Sequence, residues 1–321
     1  MNNLKKIGLT ALAGSLVATS VAVAGELSAS GSASMKISNL SSGSTGKSVG
    51  MANSVILAGS GELDNGMTVS MSFELDSGVD TGTGTGPFDN HSVSLASDTM
   101  GTLTVHGHGG SNAASALDTT AAGDLWDNTL GMTTGATGTA PKGAASGNGL
   151  VVYTLPALAD GVSASVSYAS EGANNEGSTA IGITFTGVEG LTVNLGKGDN
   201  KATVGTDIEQ TVMSASYAIG PVTVGYSNND YDHTLAANDQ ETESFSVAYT
   251  VSDSISVSYG MTDIDNSGDT AEVEVTGVTA SYTSGGMTIS GTSVAADNVD
   301  GSATGTNNDN EFWKLAASFA F

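Results

Sequence analysis

The sequence predicts an all-β protein, a transmembrane antiparallel β-barrel of about sixteen strands. Three observations support this fold class: apolar and small polar residues alternate along most of the chain, short and long connections alternate between these segments, and the chain ends on an aromatic residue, Phe321. Alternation with a period of two gives each strand two different faces. A barrel in lipid needs such strands, because one face meets lipid and the other lines a polar interior.

Composition agrees with an all-β chain and argues against several classes of function. Of 321 residues, 44 are glycine and only 4 are proline, and 13% are charged. The formal net charge is -25 and no arginine occurs, which argues against a nucleic-acid partner. The chain has no cysteine, so it has no disulfide, no thiol nucleophile and no cysteine-bound metal.

The N-terminal segment predicts export. Lys5 and Lys6 precede an apolar stretch over residues 7–23, and small residues follow at positions 22–24. This pattern is typical of a secretory signal peptide, whereas the glycine and hydroxyl residues inside the stretch argue against a membrane anchor. We therefore assign residues 1–24 to a signal peptide and residues 25–321 to a single β-barrel domain. Removal of the two lysines changes the formal charge from -25 to -27.

The clearest strand covers residues 67–75, where Met67, Val69, Met71, Phe73 and Leu75 alternate with Thr68, Ser70, Ser72 and Glu74. The same alternation recurs to the C terminus, and a change of phase near Gly277 predicts a β-bulge. Connections are short at 64–66, 97–101, 187–190, 220–221, 252–253 and 284–286, and long between them, including residues 107–149 and 198–208. Transmembrane barrels show this asymmetry between their two ends.

Aromatic residues of the apolar face sort into two levels if odd-numbered strands run towards the long connections. The level near the long connections holds Phe73, Tyr168, Tyr226, Tyr259 and Trp313, and the other level holds Tyr153, Phe185, Tyr217, Tyr249, Tyr282 and Phe321. Amphipathic rings prefer the membrane interface, so two levels predict two aromatic girdles. A soluble β-sandwich with tyrosines at its strand ends is the alternative interpretation.

The chain resembles the general porins of Gram-negative bacteria, in particular the trimeric sixteen-stranded porins of alphaproteobacteria. Residues 100–107, Met-Gly-Thr-Leu-Thr-Val-His-Gly, are similar to the family's Phe-Gly-Thr-Leu-Thr-Leu-Gly-Arg strand, which leads into the third external loop. Residues 312–321 alternate and end on Phe321, which resembles the signal read by the barrel-assembly machinery. The resemblance implies an outer-membrane location, contact with outer-membrane lipid, a homotrimer, and a long third loop, here residues 107–149, folded into the lumen.

The resemblance also implies a water-filled channel for passive diffusion of small hydrophilic solutes and ions, with no enzymatic activity and no cofactor. Candidate pore-lining residues are the charged residues of the polar face, Lys36, Glu62, Glu74, His106, His108, Glu272, Glu274 and Lys314, and those of the third loop, Asp118, Asp124, Asp127 and Lys142. Carboxylates in a narrow pathway favour cations, so we expect a cation-preferring pore, although acids that merely solvate outer loops explain many of the same residues. The family's arginine cluster has no counterpart here, and its place beside the loop is held by His106 and His108.

Acidic residues near the C terminus leave a second interpretation open. The spacing of a calcium-binding loop is largely matched by Asp263, Asp265, Ser267, Gly268, Asp269 and Glu274. Flanking helices are missing, and a tight acidic turn between two strands explains the same residues. The alternative function is therefore a secreted acidic β-rich surface or adhesin protein that binds calcium through its loops.

Short enzyme-like patterns also occur. The Gly-Lys-Ser-Val-Gly run at residues 46–50 fits a nucleophile elbow, but no helix is predicted after it, and as a phosphate-binding loop it has Ser41 in place of the first glycine. An outer-membrane hydrolase would also need a Ser, His and acid set that cannot be assembled from this sequence. We therefore expect no catalytic residues.

Overall fold

A computed structural model describes residues 26–39, 47–76, 88–117, 149–170, 177–203, 206–299, 301–304 and 309–321. The first eight strands are β1 Glu26–Asn39, β2 Lys47–Glu62, β3 Thr68–Asp76, β4 Asn90–Ser97, β5 Gly101–His108, β6 Leu150–Thr154, β7 Val162–Ala169 and β8 Ser178–Phe185. The others are β9 Leu191–Thr203, β10 Thr206–Ile219, β11 Val222–His233, β12 Gln240–Ser252, β13 Ile255–Asn266, β14 Val273–Ser284, β15 Met287–Asp297 and β16 Asn310–Ala320. In these ranges no helix is long and apolar enough to cross a membrane.

Each strand pairs antiparallel with the next, and β16 pairs with β1, so the sheet closes into a sixteen-stranded barrel. The seam continues one residue beyond β16, where Gly31 and Phe321 exchange two backbone hydrogen bonds of 2.8 and 3.0 Å. Closure leaves no open sheet edge, which lipid would not tolerate because it cannot hydrogen-bond the free groups. The predicted fold class and strand number are confirmed. The predicted signal peptide lies outside the described residues and stays a prediction.

The two faces of the strands are chemically different, as the alternation predicts. Large apolar side chains point outward and are exposed, for example Met35 at 57%, Leu195 at 50% and Val278 at 47%. Serine, threonine, asparagine and glycine alternate with them on the inner wall. The aromatic rings of both predicted levels point outward, including Tyr168 and Tyr226 near the long connections, called the loop end here, and Tyr249 and Tyr282 near the short ones, called the turn end.

The β-bulge predicted near Gly277 is wrong. Strand β14 stays in continuous register with β13 and β15, with Gly260 opposite Gly277 and Asp263 opposite Glu274. The apparent change of phase arises because inner-wall residues at the loop end are apolar, namely Ile264, Val273, Val275, Val294, Ala296 and Phe312, which pack with Val299 in one buried cluster. In the sequence, these buried apolar residues of the inner wall therefore cannot be told from residues of the outer face.

The long connection predicted over residues 198–208 is also wrong. Strand β9 continues to Thr203 and β10 starts at Thr206, so the two strands rise as a long hairpin. About ten residues suffice for a tilted strand to cross the hydrocarbon layer. Strands of 13 and 14 residues therefore extend beyond the lipid-facing belt. Beyond the belt their outer face holds charged residues instead of apolar ones, so the alternation that predicts a strand is lost.

The geometry of the barrel seam predicts that alanine substitutions at two outward-facing glycines differ sharply in their effect on stability. A Cβ atom at Gly31 would lie 2.8 Å from the Phe321 ring and 2.8 Å from the carbonyl oxygen of Ser54, whereas a Cβ at Gly291 has no described atom within 4 Å. We expect Gly31→Ala to destabilise the barrel by about 1–3 kcal/mol through overpacking, and Gly291→Ala to be neutral. The temperature at which the folded band disappears in gel electrophoresis measures both, and equal temperatures would contradict the seam geometry.

Candidate channel interior

The connection between β5 and β6 turns into the barrel at two glycines. Gly109 has a φ of 73°, which a residue with a side chain rarely adopts. Gly110 then packs against the His106 ring, where a Cβ would lie 2.6 Å from the imidazole carbon Cγ and 2.9 Å from Leu150. The sequence His-Gly-His-Gly-Gly therefore bends the chain back over its own strand. The bend directs the next residues along the inner wall.

Residues 112–117 are fastened to the inner wall by hydrogen bonds. Asn112 closes a turn, because its Oδ1 accepts the backbone N–H groups of Ala114 and Ser115 at 2.9 and 3.0 Å. Three further bonds, each 3.0 Å long, reach the wall. The Ala113 N–H donates to Ser167 Oγ, the Ser115 hydroxyl donates to Gln210 Oε1, and the Ser214 hydroxyl donates to the Leu117 carbonyl. This segment therefore lies inside the barrel across β7 to β10.

Two inner-wall glycines make room for this segment. Gly182 and Gly196 lie opposite each other on β8 and β9. A Cβ at Gly182 would overlap the Ala113 carbonyl, and one at Gly196 would lie 2.9 Å from the Ala114 Cα. The segment touches backbone here, so glycine is required for close packing rather than for a turn. The predicted loop residues Asp118, Asp124, Asp127 and Lys142 lie outside the described residues, and their part in a constriction stays a prediction.

Strands β10 to β13 have an inner wall of buried amide and hydroxyl groups that sequence reasoning missed. Gln210 Nε2 donates to Asn229 Oδ1 at 2.8 Å, and Gln240 Nε2 donates to Asn266 Oδ1 at 2.8 Å. Ser244 and Thr262 share a hydrogen bond of 2.9 Å. All six residues are at least nine-tenths buried. Their inward direction follows from continuing the alternation past the aromatic level, where no apolar residues mark the strand.

The opposite inner wall, from β16 through β1 to β5, is accessible. Lys36 and Lys314 point inward on neighbouring strands, where Lys36 pairs with Ala316 and Ser38 pairs with Lys314. Both lysines are only half-buried. Glu74, His106 and His108, which are also predicted pore-lining residues, lie on the same wall. Asp76, one residue beyond the strand predicted over residues 67–75, belongs to β3 and shares the inward face with Glu74.

Glu74 is held in one orientation by its neighbours. The Ser54 hydroxyl donates to Oε1 at 2.6 Å, and Asn90 Nδ2 donates to Oε2 at 2.6 Å. Charge-assisted hydrogen bonds of this length fix a carboxylate in place. Next to it on the wall, the His108 ring nitrogen Nδ1 contacts the Asp89 carbonyl oxygen. A fixed anion and two imidazole rings, those of His106 and His108, therefore share the wall below the start of the third connection.

Glu62 ends β2 at the turn end, exposed on the inward face. Two other predicted lining residues do not lie on the inner wall. Glu274 shares the outward face of β14 with Val278 and Tyr282, so its prediction as a pore residue is wrong. Glu272 precedes β14 and is exposed in the connection, so it lies on no strand face. The error has the same origin as the predicted bulge, because the buried Val273 and Val275 were taken for the outer face.

Much of the negative charge faces outward rather than into the barrel. At the loop end, the outer face of β11 to β15 holds Asp230, Asp232, Glu241, Glu243, Asp263, Asp265, Glu274 and Asp297. Four of these lie directly opposite one another in one row across four strands, Glu243, Asp263, Glu274 and Asp297. Like charges that lie directly opposite one another on neighbouring strands repel one another and need water or counterions. We call this surface the acidic belt.

The residues of the predicted calcium loop do not form a loop. Asp263 and Asp265 belong to β13 and Glu274 to β14, while Ser267 and Asp269 lie in the connection between them. A concavity of about 440 Å³ is lined by Asp265, Asp269, Glu272, Glu274 and Asn298. Within the described ranges, no group of three or more His, Cys, Asp or Glu residues is close enough to hold a metal ion. Calcium binding stays a prediction without support from this geometry.

Comparison with known proteins gives one family and several related folds. The family model for Gram-negative porins matches residues 8–321. A triple mutant of the Rhodobacter blastica porin is 16% identical with a TM-score of 0.64, covering 92% of this chain and 100% of its own. OmpT of Vibrio cholerae, described as a trimer form, is 16% identical with a TM-score of 0.68, covering 93% and 100%. Salmonella typhi OmpF, in complex with daunomycin, is 12% identical with a TM-score of 0.68, covering 93% and 98%. No curated protein matches the chain.

The close contact at Gly182 predicts that a single methyl group there moves the third connection. We expect Gly182→Ala to push Ala113 off the wall at a cost of about 1–3 kcal/mol, so that the connection narrows the interior and the single-channel conductance in planar bilayers falls. The control is Gly291→Ala on the outer wall, whose Cβ would have no described atom within 4 Å. Equal conductance of the two variants would contradict the placement of residues 112–117.

Proposed function

Because the chain belongs to the Gram-negative porin family, it is an outer-membrane porin, and we propose that small hydrophilic solutes and ions diffuse passively through it with a preference for cations. The observation that carries this proposal is the division of the inner wall into a blocked side and an open side. Hydroxyl, amide and charged groups of the open side can hold water along its length, whereas the apolar outer wall faces lipid.

The route for solutes follows the open wall from β16 through β1 to β5. On the other side, residues 112–117 and the buried amide groups of β10 to β13 leave little accessible surface. The apolar cluster of Ile264, Val273 and Phe312 covers the inner wall at the loop end of β13 to β16. Solutes therefore meet Lys36, Lys314, Glu74 and the two histidines rather than the amide groups.

Selectivity rests on the balance of charge along this route. The described inner wall of these strands holds the carboxylates Glu62, Glu74 and Asp76 against the lysines Lys36 and Lys314. The sequence of the third connection contains Asp118, Asp124 and Asp127 against Lys142, outside the described residues, and we expect them to add to this excess. Arginine, which would hold a permanent positive charge, is absent from the sequence. The excess of carboxylates in a pathway with low-dielectric walls supports a preference for cations.

The acidic belt contributes little to this selectivity. Its carboxylates point away from the lumen, so the barrel wall and water lie between them and a permeating ion. Exposed charges farther apart than roughly 8 Å are largely screened at physiological salt. The large net charge of the chain is thus a poor guide to its selectivity, which depends on a few inward residues.

We also propose a homotrimer that contacts outer-membrane lipid and is inserted by the barrel-assembly machinery. A trimer form is described for the similar Vibrio cholerae OmpT. Phe321 ends the chain on the outer wall, 70% exposed and next to the seam, where an assembly factor can reach it. No catalytic role is proposed. The residues of the elbow-like pattern from Lys47 to Gly50 lie inside the continuous strand β2 and offer no strand-to-helix turn.

Glu74 provides the most direct test of cation preference. We expect Glu74→Gln to lower the cation-to-anion permeability ratio roughly two- to five-fold, because a unit charge at about 4 Å contributes about 1 kcal/mol in a water-like medium. Reversal potentials under a salt gradient measure the ratio. Glu243→Gln and Glu274→Gln remove the same charge from the acidic belt and should leave it unchanged. An anion-preferring wild-type protein, or equal effects of all three substitutions, would overturn the proposal.

A further inference from the structure

An apolar cluster inside the barrel is closed off from water. Its members on strands all point inward, and they are Ile264 of β13, Val273 and Val275 of β14, Val294 and Ala296 of β15, and Phe312 of β16. A side chain on the open inner wall of a wide barrel would meet water, yet each of these residues is at most 5% exposed. Another part of the chain therefore covers the cluster from the side of the lumen.

The connection between β15 and β16 takes part in this covering. Val299 follows the end of β15, packs with the cluster and is fully buried. The chain turns at Asn298, whose φ of 55° is the only positive φ of a non-glycine residue in the described part of the chain. Asparagine tolerates this conformation better than most residues with a side chain, and its Nδ2 donates to the Glu272 carbonyl at 3.0 Å. The turn and the buried valine place the start of this connection over the loop end of the lumen.

Backbone hydrogen bonds hold the connection in this position. The Gly301 carbonyl accepts the backbone N–H groups of Thr270 and Ala271 at 2.9 and 3.3 Å. Gly301 has a φ of 71°, and a Cβ there would overlap the Asp269 carboxylate. Asp269 is itself held, because its Oδ2 accepts a hydrogen bond from Asn266 Nδ2 at 2.8 Å. The connection after β15 is therefore bonded to the connection after β13, and the close approach requires glycine.

The connection after β13 is bonded in turn to the connection after β11. The Ser267 N–H donates to the Asp239 carbonyl at 3.1 Å, and a Cβ at Gly268 would lie 3.0 Å from the Ala237 carbonyl oxygen. Asp239 Oδ1 also accepts the N–H of His233, the last residue of β11, at 2.8 Å. Three successive connections thus form one hydrogen-bonded rim over β11 to β16, which anchors Val299 above the cluster.

We propose that Asn298, Val299 and Gly301 form a fixed cover that narrows the loop end of the channel and limits the size of the solutes that enter there. The third connection lies across β7 to β10, whereas the cover lies on β13 to β16, so the two narrow the lumen at different places. Connections at the turn end are short, so entry from that end is less restricted. The cover selects solutes by size only if they diffuse through the lumen, as proposed above.

Polymer exclusion in planar bilayers tests the cover in the full-length mature protein. Poly(ethylene glycol) of increasing mass is added to one side of a single inserted channel and then to the other, and a polymer that enters the lumen lowers the conductance. The wild type should exclude polymer at a smaller mass from one side than from the other. Conductance without polymer reports the channel itself, so equal cut-off masses in a conducting wild type would disprove the cover and leave the diffusion function intact.

Two pairs of matched variants assign the smaller cut-off mass to the cover. Gly301→Ala and Gly285→Ala both place alanine at a positive φ, but Gly285 lies at the turn end, where its Cβ would have no described atom within 4 Å. Val299→Ser and Val278→Ser make the same change inside the cluster and on the outer wall. Gly301→Ala displaces the cover by steric overlap, and Val299→Ser does so by placing a polar group in the apolar cluster.

Both cover variants should raise the smaller cut-off mass to the larger one, and both controls should leave the difference between the two sides unchanged. Heat-modifiable migration shows which variants are folded. If Gly301→Ala does not fold, Val299→Ser alone decides the outcome. A folded Val299→Ser variant that keeps the wild-type difference between the two sides would overturn the proposal.

Discussion

Backbone hydrogen bonding in lipid is the constraint on which the rest of this structure depends. Hydrocarbon offers no partner to a free N–H or C=O group, so a sheet that crosses it must pair both edges of every strand. The chain meets this requirement by joining β16 to β1, with Gly31 and Phe321 as the last pair of the seam. Once the sheet is closed, alternation alone separates a lipid-facing wall from a polar interior.

The interior of a sixteen-stranded barrel is too wide for wall side chains to fill, so its function depends on what enters it. Here the third connection enters at Gly109 and Gly110 and is held by Ser167, Gln210 and Ser214. The amide groups of β10 to β13 are hydrogen-bonded to one another, and the charged groups that remain accessible lie on the opposite wall. The asymmetry of the pore therefore follows from local contacts of one short segment.

Sequence alternation predicts strand number, closure and the aromatic levels because it reports directly on the lipid boundary. It fails where that boundary ends. In β14, the buried Val273 and Val275 point inward yet read as an outer face, which misplaced Glu274 in the pore. In β9 and β10, charged residues beyond the lipid hide several residues of regular strand. Gly182, Gly196 and Gln210 contact the third connection. The alternation within the strands does not predict the path of that connection, so it does not predict these contacts.

The central claim is that the closed barrel holds a continuous water-filled path along one wall. Single-channel recording of the purified, folded protein in a planar bilayer tests it most directly. The account predicts discrete, long-lived conductance steps whose size rises in proportion to salt concentration. A folded, heat-modifiable protein that inserts into the bilayer and gives no steps would contradict it, because the blocked wall would then extend around the whole interior.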